Sequence, residues 1–219
     1  MSFAIIFDLD GTMVDNASYH KQAWGEFCKG YNIPFSKEIF NTIFFGKTNQ
    51  QVLPELFNKK LTSEEVFQFS EQKEIIYRKN YQTEIKPING LISFLQKLHA
   101  NDIKTAIATS APPGNVKLVL EGLNINHYFN HIVDDTMVIK GKPDPEIFLK
   151  AADLLKKKPE ECIVFEDSPS GTKAAFDVGC KVIALTTTIQ ASEHKYSHHI
   201  ISDYRNISVN FISQTIFNN

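Results

Sequence analysis

Nine residues near the N-terminus, FDLDGTMVD from Phe7 to Asp15, hold three aspartates directly behind the apolar run FAII and beside a glycine. Carboxylates this close repel one another in a low-dielectric setting unless a cation or a reaction makes use of them. Two further polar pairs stand at the ends of apolar runs: Thr109 and Ser110 at the end of KTAIAT, and Glu166 and Asp167 at the end of CIVFE. Lys142, in KGKPDPEIF, precedes a proline and a predicted helix, in a loop from which its ammonium can reach the same place. Hard oxygen ligands suit Mg2+, which usually binds through one or two carboxylates plus a phosphate. Acids, a hydroxyl and one lysine together describe a site for a phosphoryl group.

Those residues need elements that bring them together. Four short runs, rich in β-branched and aromatic residues, read as buried parallel strands over 3–7, 104–109, 162–166 and 181–185. A weaker fifth covers 198–201. Between them, 90–102, 113–124, 144–158 and 170–179 carry apolar residues at helical spacing. Alternation of this kind predicts an open α/β sheet, and ligands of such sheets bind outside the carboxyl ends of the strands. Residues 16–83 break the alternation with four predicted helices, at 16–32, 36–44, 49–60 and 62–82. The expected architecture is a Rossmann-like parallel sheet core with helices on both faces, formed by 1–15 and 84–219. An inserted all-helical cap over 16–83 would form a lid over the sheet edge.

The length of 219 residues suits one core domain carrying an insertion. A net charge of −2, with both signs spread along the chain, leaves no basic footprint for nucleic acid and no polybasic membrane patch. A small molecule is therefore the expected partner, and a monomer the expected state. The apolar stretch before Asp8 is too short for a signal peptide or a membrane span, which points to the cytoplasm. Cys28, Cys162 and Cys180 are odd in number and lack CxxC spacing, against both a disulfide framework and a zinc site. His194, His198 and His199 read as a solvated loop and strand edge rather than a metal tract.

DLDGT (8–12), Thr109, Lys142 in GKPDP, and EDSPSG (166–171) resemble, in order and spacing, the four motifs of the haloacid dehalogenase superfamily of phosphotransferases. The insert after Asp15, with DNASYHKQAW, resembles the cap of its β-phosphoglucomutase-like subgroup. The resemblance implies that Asp8 is the nucleophile, forming an aspartyl phosphate. It implies that Asp10 protonates the leaving oxygen and then activates the acceptor. Thr109 would hydrogen-bond a phosphoryl oxygen, and Lys142 would neutralise charge on Asp8 and the transferring group. Mg2+ would be held by Asp8, the Asp10 backbone carbonyl and Asp167, with Glu166 a further ligand or a partner of one. Gly11 and Thr12 fit a tight turn, and Asp15 is read as the N-cap of the first cap helix.

The acceptor decides between two activities: water makes a phosphatase, a sugar hydroxyl a mutase. Asn16, His20 and Trp24 share one helix face, and His20 and Trp24 match the mutase subgroup, although Trp24 also reads as cap core and His20 as a structural hydrogen-bonder. The subgroup places an arginine where this chain has Asn49, and a serine and lysine where it has Ala111 and Pro112. Lys47 restores charge but not the bidentate fork. With Asn16, His20, Trp24, Lys47, Asn49 and Ser110 as substrate contacts, the reading is a Mg2+-dependent phosphatase acting on a small phosphorylated metabolite such as a sugar phosphate. A β-phosphoglucomutase-type mutase is the runner-up. A pyrophosphatase and a non-catalytic phosphate-binding protein rank lower. So does a metal-free dehalogenase, which would leave Asp10, Glu166 and Asp167 without a role.

Overall fold

The computed structural model describes residues 3–40 and 48–216. It divides into two compact units, 16–84 and the flanking segments 1–15 with 85–219. The flanking segments build a six-stranded sheet from β1 (Ala4–Phe7), β2 (Thr105–Ala108), β3 (His131–Val133), β4 (Cys162–Glu166), β5 (Lys181–Leu185) and β6 (His199–Ile201). Every pairing is parallel, in the order β3-β2-β1-β4-β5-β6. The Rossmann-like parallel sheet expected from the four apolar runs is present. Strands β1, β2 and β4 are buried at every position, as strands covered on both faces must be. β3 escaped sequence reading because it is a three-residue, mostly half-buried edge strand flanked by Asn130 and Asp134, with no apolar run to mark it.

The helical unit contains α1 (Ala17–Gly30), the one-turn α2 (Lys37–Ile39), α3 (Asn49–Leu56) and α4 (Ser63–Tyr81). Phe44, Phe45, Gly46 and Lys47 lie outside the described residues. Trp24, Phe27 and Cys28 of α1 pack with Val52 and Leu53 of α3 to form the unit's core. α4 begins at a capping box: the Thr62 hydroxyl accepts the Glu65 N–H at 3.2 Å and the Glu65 carboxylate accepts the Thr62 N–H at 2.8 Å. The expected N-cap of α1 is corrected. Asn16, not Asp15, occupies that position, because its carbonyl accepts the first helical N–H groups, from Tyr19 and His20. Asp15 is exposed, and the Asn16 amide donates to the Tyr77 hydroxyl at 2.6 Å instead of capping.

In the sheet unit, α5 (Leu91–Ala100), α6 (Pro113–Leu123), α7 (Glu146–Leu154) and α8 (Pro169–Asp177) follow the predicted positions. Leu91, Phe94, Leu95 and Leu98 give α5 a single buried stripe at i, i+3, i+4 and i+7. The run predicted to be helical to 158 stops at Leu154, since Lys156 turns to φ +56° and sends the three lysines into the loop. The period-2 alternation of β1 sorts its side chains onto two faces. Ala4 and Ile6 pack with Phe148, Ala151 and Ala152 of α7 and Ala174 and Ala175 of α8. Phe7 stacks on Phe165 with ring centroids 5.1 Å apart and meets Phe94 of α5 and Tyr204 on the opposite face. Each such buried ring contributes roughly 1.5–3 kcal/mol by removal from water.

Among the described residues no helix is long and apolar enough to cross a membrane. The solvated reading of the histidine tract fails for His194, which is 5% exposed. A single turn at Ala191–Glu193 brings it back to the Leu185 end of β5, where burial pushes its pKa down against the pull of the Leu185 carbonyl. His198 accepts the Val182 N–H at 3.1 Å, and His199 lies half-buried in β6.

Candidate active site

Parallel pairing sends all carboxyl ends to one edge. From β1 the order runs to β2 and β3 on one side and to β4, β5 and β6 on the other, and loops that diverge at such a switch leave a crevice. Asp8 leaves β1 there. Phe7 is in register with Phe165, so Asp8 emerges beside Glu166 and Asp167 at the end of β4.

Asp8, Glu166 and Asp167 are buried, with carboxylate oxygens within 4.8 Å of one another. The Lys142 ammonium donates to Asp8 Oδ1 at 2.6 Å, to Glu166 Oε1 at 2.8 Å and to the Ala108 carbonyl at 3.3 Å, at the end of β2. Three carboxylates thus face one ammonium, and the balance is negative. Burial raises the Asp8 carboxyl to about 7; Lys142 opposes that rise, while the charges of Glu166 and Asp10 add to it. Asp167 is held well above the usual carboxylate range by burial and then by Glu166 and Asp8. For Lys142, burial works to lower the pKa, but the charges and hydrogen bonds of Asp8 and Glu166 outweigh it and hold the ammonium above the ordinary lysine range.

The acids are held by neutral donors. Thr12 Oγ1 donates to Asp167 Oδ1 at 3.2 Å, and Thr188 Oγ1 donates to Asp167 Oδ2. Thr187 Oγ1 donates to the Gly11 carbonyl, and the Tyr204 hydroxyl to the Thr12 carbonyl at 2.9 Å. Gly11 sits at φ +74°, and a Cβ there would run into the Asp167 carboxylate and the Thr188 hydroxyl, so only glycine fits this turn. Glu166 Oε2 accepts the Ser168 N–H at 2.6 Å at the start of α8, over Gly171, where a Cβ would occupy the carboxylate's place.

The remaining predicted core residues lie on the same edge. Asp10 is partly buried and near enough to Asp8 to raise its pKa. Thr109 is buried, and its hydroxyl oxygen accepts the Ala111 N–H at 3.1 Å, so its proton is the group that can be offered to an incoming oxygen. Ser110 follows it and is exposed. Sequence reading missed Thr187 and Thr188; their signal was a run of three threonines at the end of β5, the same kind of polar ending that marked the other strands.

The helical unit gathers its own predicted residues around a lysine that sequence reading passed over. Lys73, 2% exposed, lies 2.8 Å from His20 Nδ1, donates to Glu74 Oε1 at 2.9 Å and stands 5.3 Å from the centre of the Trp24 ring. Glu74 accepts the Asn49 amide at 3.0 Å, and the His20 ring stacks on Tyr77 at 3.9 Å. Asn16, bonded to Tyr77, completes the chain of contacts. In the sequence, nothing beyond their helix marks Lys73 and Glu74, and only the fold buries them.

The acids fit a divalent cation: they are hard oxygen donors, mutually close, and short of positive charge. A family model described as haloacid dehalogenase-like hydrolase matches residues 5–185. The chain is 34% identical over 190 residues to the β-phosphoglucomutase of Bacillus subtilis, covering 83% of this chain and 82% of that one. It is 30% identical over 180 residues to a phosphorylated carbohydrates phosphatase of Thermotoga maritima, covering 82% and 83%. The crystal structure of a HAD hydrolase, family IA, variant 3, from Entamoeba histolytica matches with a TM-score of 0.91 at 29% identity, over 99% of this chain and 100% of that one.

Proposed function

This chain belongs to the haloacid dehalogenase-like hydrolase family, and on that premise we propose that it is a Mg2+-dependent phosphatase of a small organic phosphate, such as a sugar phosphate. The observation that carries the reading is Lys142 bridging Asp8 and Glu166 within a buried, electron-rich carboxylate cluster. Asp8 attacks phosphorus, the bond from phosphorus to the ester oxygen breaks, and Asp10 supplies the leaving oxygen with its proton. Asp10 then takes a proton from water, whose oxygen attacks the aspartyl phosphate; phosphate leaves and the Asp8 carboxylate is restored. Lys142 and Thr109 hold the phosphoryl oxygens during both displacements.

Asp8, the Asp10 backbone carbonyl and Asp167 would hold Mg2+. Glu166, whose Oε1 accepts from Lys142, anchors that lysine and stands as a further ligand of the cation or a partner of one. When bound, the cation supplies positive charge that keeps Asp8 ionised and offsets the charge of the phosphate. His20, Asn49, Lys47 and Ser110 are assigned to recognition of the non-reacting part of the substrate, supported from behind by Trp24, packed in the helical unit's core, and Asn16, buried against Tyr77.

Hydrolysis is preferred to mutase activity because position 49 carries a neutral amide bonded to the Glu74 carboxylate. Ala111 and Pro112 likewise bring no cation. A mutase working through a bisphosphate grips two phosphates, and each absent charge-assisted contact removes roughly 1.5–3 kcal/mol. The likeness to the Bacillus subtilis β-phosphoglucomutase, together with His20 and Trp24, keeps the mutase as a second reading.

The test is phosphate release from a panel of sugar phosphates with Mg2+, using Asp8→Asn as the blank. β-Glucose 1-phosphate with a trace of the 1,6-bisphosphate is run alongside and read for glucose 6-phosphate. Release without isomerisation supports the phosphatase, and rapid isomerisation with little release selects the mutase. Normal turnover by Asp8→Asn would remove the covalent mechanism.

A further inference from the structure

We propose that Thr188, supported by Thr187, is a positioning residue for the metal-binding carboxylate of Asp167; the inference rests on the metal reading given above. Asp167 is 5% exposed and accepts one hydroxyl on each oxygen, Thr12 on Oδ1 and Thr188 on Oδ2. Two donors on opposite oxygens fix the plane of a carboxylate that neighbouring acids would otherwise push aside. Both donors are neutral, so they set orientation without neutralising the charge that draws a cation.

The two threonines act from an unexpected distance. β5 lies two strands from β1, yet the loop after Leu185 reaches back to both metal-bearing loops. Thr188 holds Asp167, and Thr187 holds the Gly11 carbonyl, one peptide beyond Asp10. Adjacent hydroxyls therefore tie the turn after β1 to the end of β4. The Gly11 turn is shaped to admit this contact, since a Cβ there would collide with both Asp167 and Thr188.

The experiment is calorimetric titration of the metal-free full chain with Mg2+ alone, for wild type, Thr188→Val, Thr188→Ala, Thr188→Ser and Asp167→Asn, with a thermal melt of each. Loss of a hydrogen bond that orients a metal ligand typically weakens metal binding about 10- to 100-fold. Thr188→Val and Thr188→Ala are expected to show that loss while still melting cooperatively, with the melting temperature lowered by no more than the lost hydrogen bond accounts for, while Thr188→Ser, which keeps the hydroxyl, binds like wild type. In turnover assays, raising Mg2+ should restore kcat in Thr188→Val, a recovery that general damage to the fold does not allow. Wild-type Mg2+ affinity in both Thr188→Val and Thr188→Ala would overturn the proposal while leaving the metal reading intact. Asp167→Asn binding Mg2+ as wild type does, or wild type not binding it, would overturn the metal reading and this inference with it.

Discussion

Replacing Asp8 by Asn should make the metal-free protein more stable at alkaline pH, although it removes a buried ion pair. The folded state moves the Asp8 carboxyl from 3.8 to about 7. Below pH 4 the group is neutral in both states and adds nothing. Between pH 4 and 7 the folded chain keeps a proton that the unfolded chain has released, so wild-type stability falls as pH rises. Above pH 7 the penalty is complete and amounts to about 4 kcal/mol. Asparagine mimics the neutral acid, but its amide brings a donor that, left unmatched, costs about 1–3 kcal/mol. The expected gain is therefore about 1–3 kcal/mol at pH 8.5, turning into a loss of about 1–3 kcal/mol near pH 4. Urea unfolding in chelator, followed by circular dichroism across that range, measures the difference. Saturating Mg2+ should then offset most or all of that gain, because ligand at a hundred times its Kd adds about 2.7 kcal/mol to the state that binds it. An Asp8→Asn variant destabilised by the same amount at every pH would refute the argument that repulsion and burial dominate this carboxylate.

Chelation of divalent cations should stop turnover and their return restore it; full activity in excess chelator would remove the metal role of Asp167. Lys142→Ala leaves Asp8 and Glu166 buried without their shared cation, with an expected loss of about 3–5 kcal/mol in urea unfolding and no turnover. Gly171→Ala drives a Cβ into the place of the Glu166 carboxylate, at a cost of about 1–3 kcal/mol, and a larger fall in kcat than in stability would show that Lys142 moves with it. Glu74→Ala strips the buried Lys73 of its carboxylate, and a loss of about 3 kcal/mol or more is expected in the unfolding curve.

The four central strands were legible because full burial on both faces leaves uninterrupted apolar runs, and the polar residues ending three of them marked the reactive edge. Strand β3 was not, since a short edge strand between polar residues has no such pattern. Asp8, Glu166, Asp167 and Lys142 could be named from residue type and position, because carboxylates at strand ends and a lysine in a loop that can reach them have few other uses. Their mutual distances, the rise of Asp8 to about 7 and the anchoring of Glu166 by Ser168 arise only when β1 and β4 pair.

The histidine tract shows the same division. His194 sits in a polar stretch and was read as solvated, yet the turn after β5 buries it. Lys73 and Glu74 carry no signal in the sequence beyond their helix, yet form the centre of a buried network. By itself, then, the sequence determined the strand and helix alternation, the family and the chemical inventory, because these depend on local pattern and residue type. Tertiary structure decided which hydroxyls hold which carboxylate and which charges lose their water, because those depend on contacts such as Thr12 with Asp167 that span 155 positions of the chain.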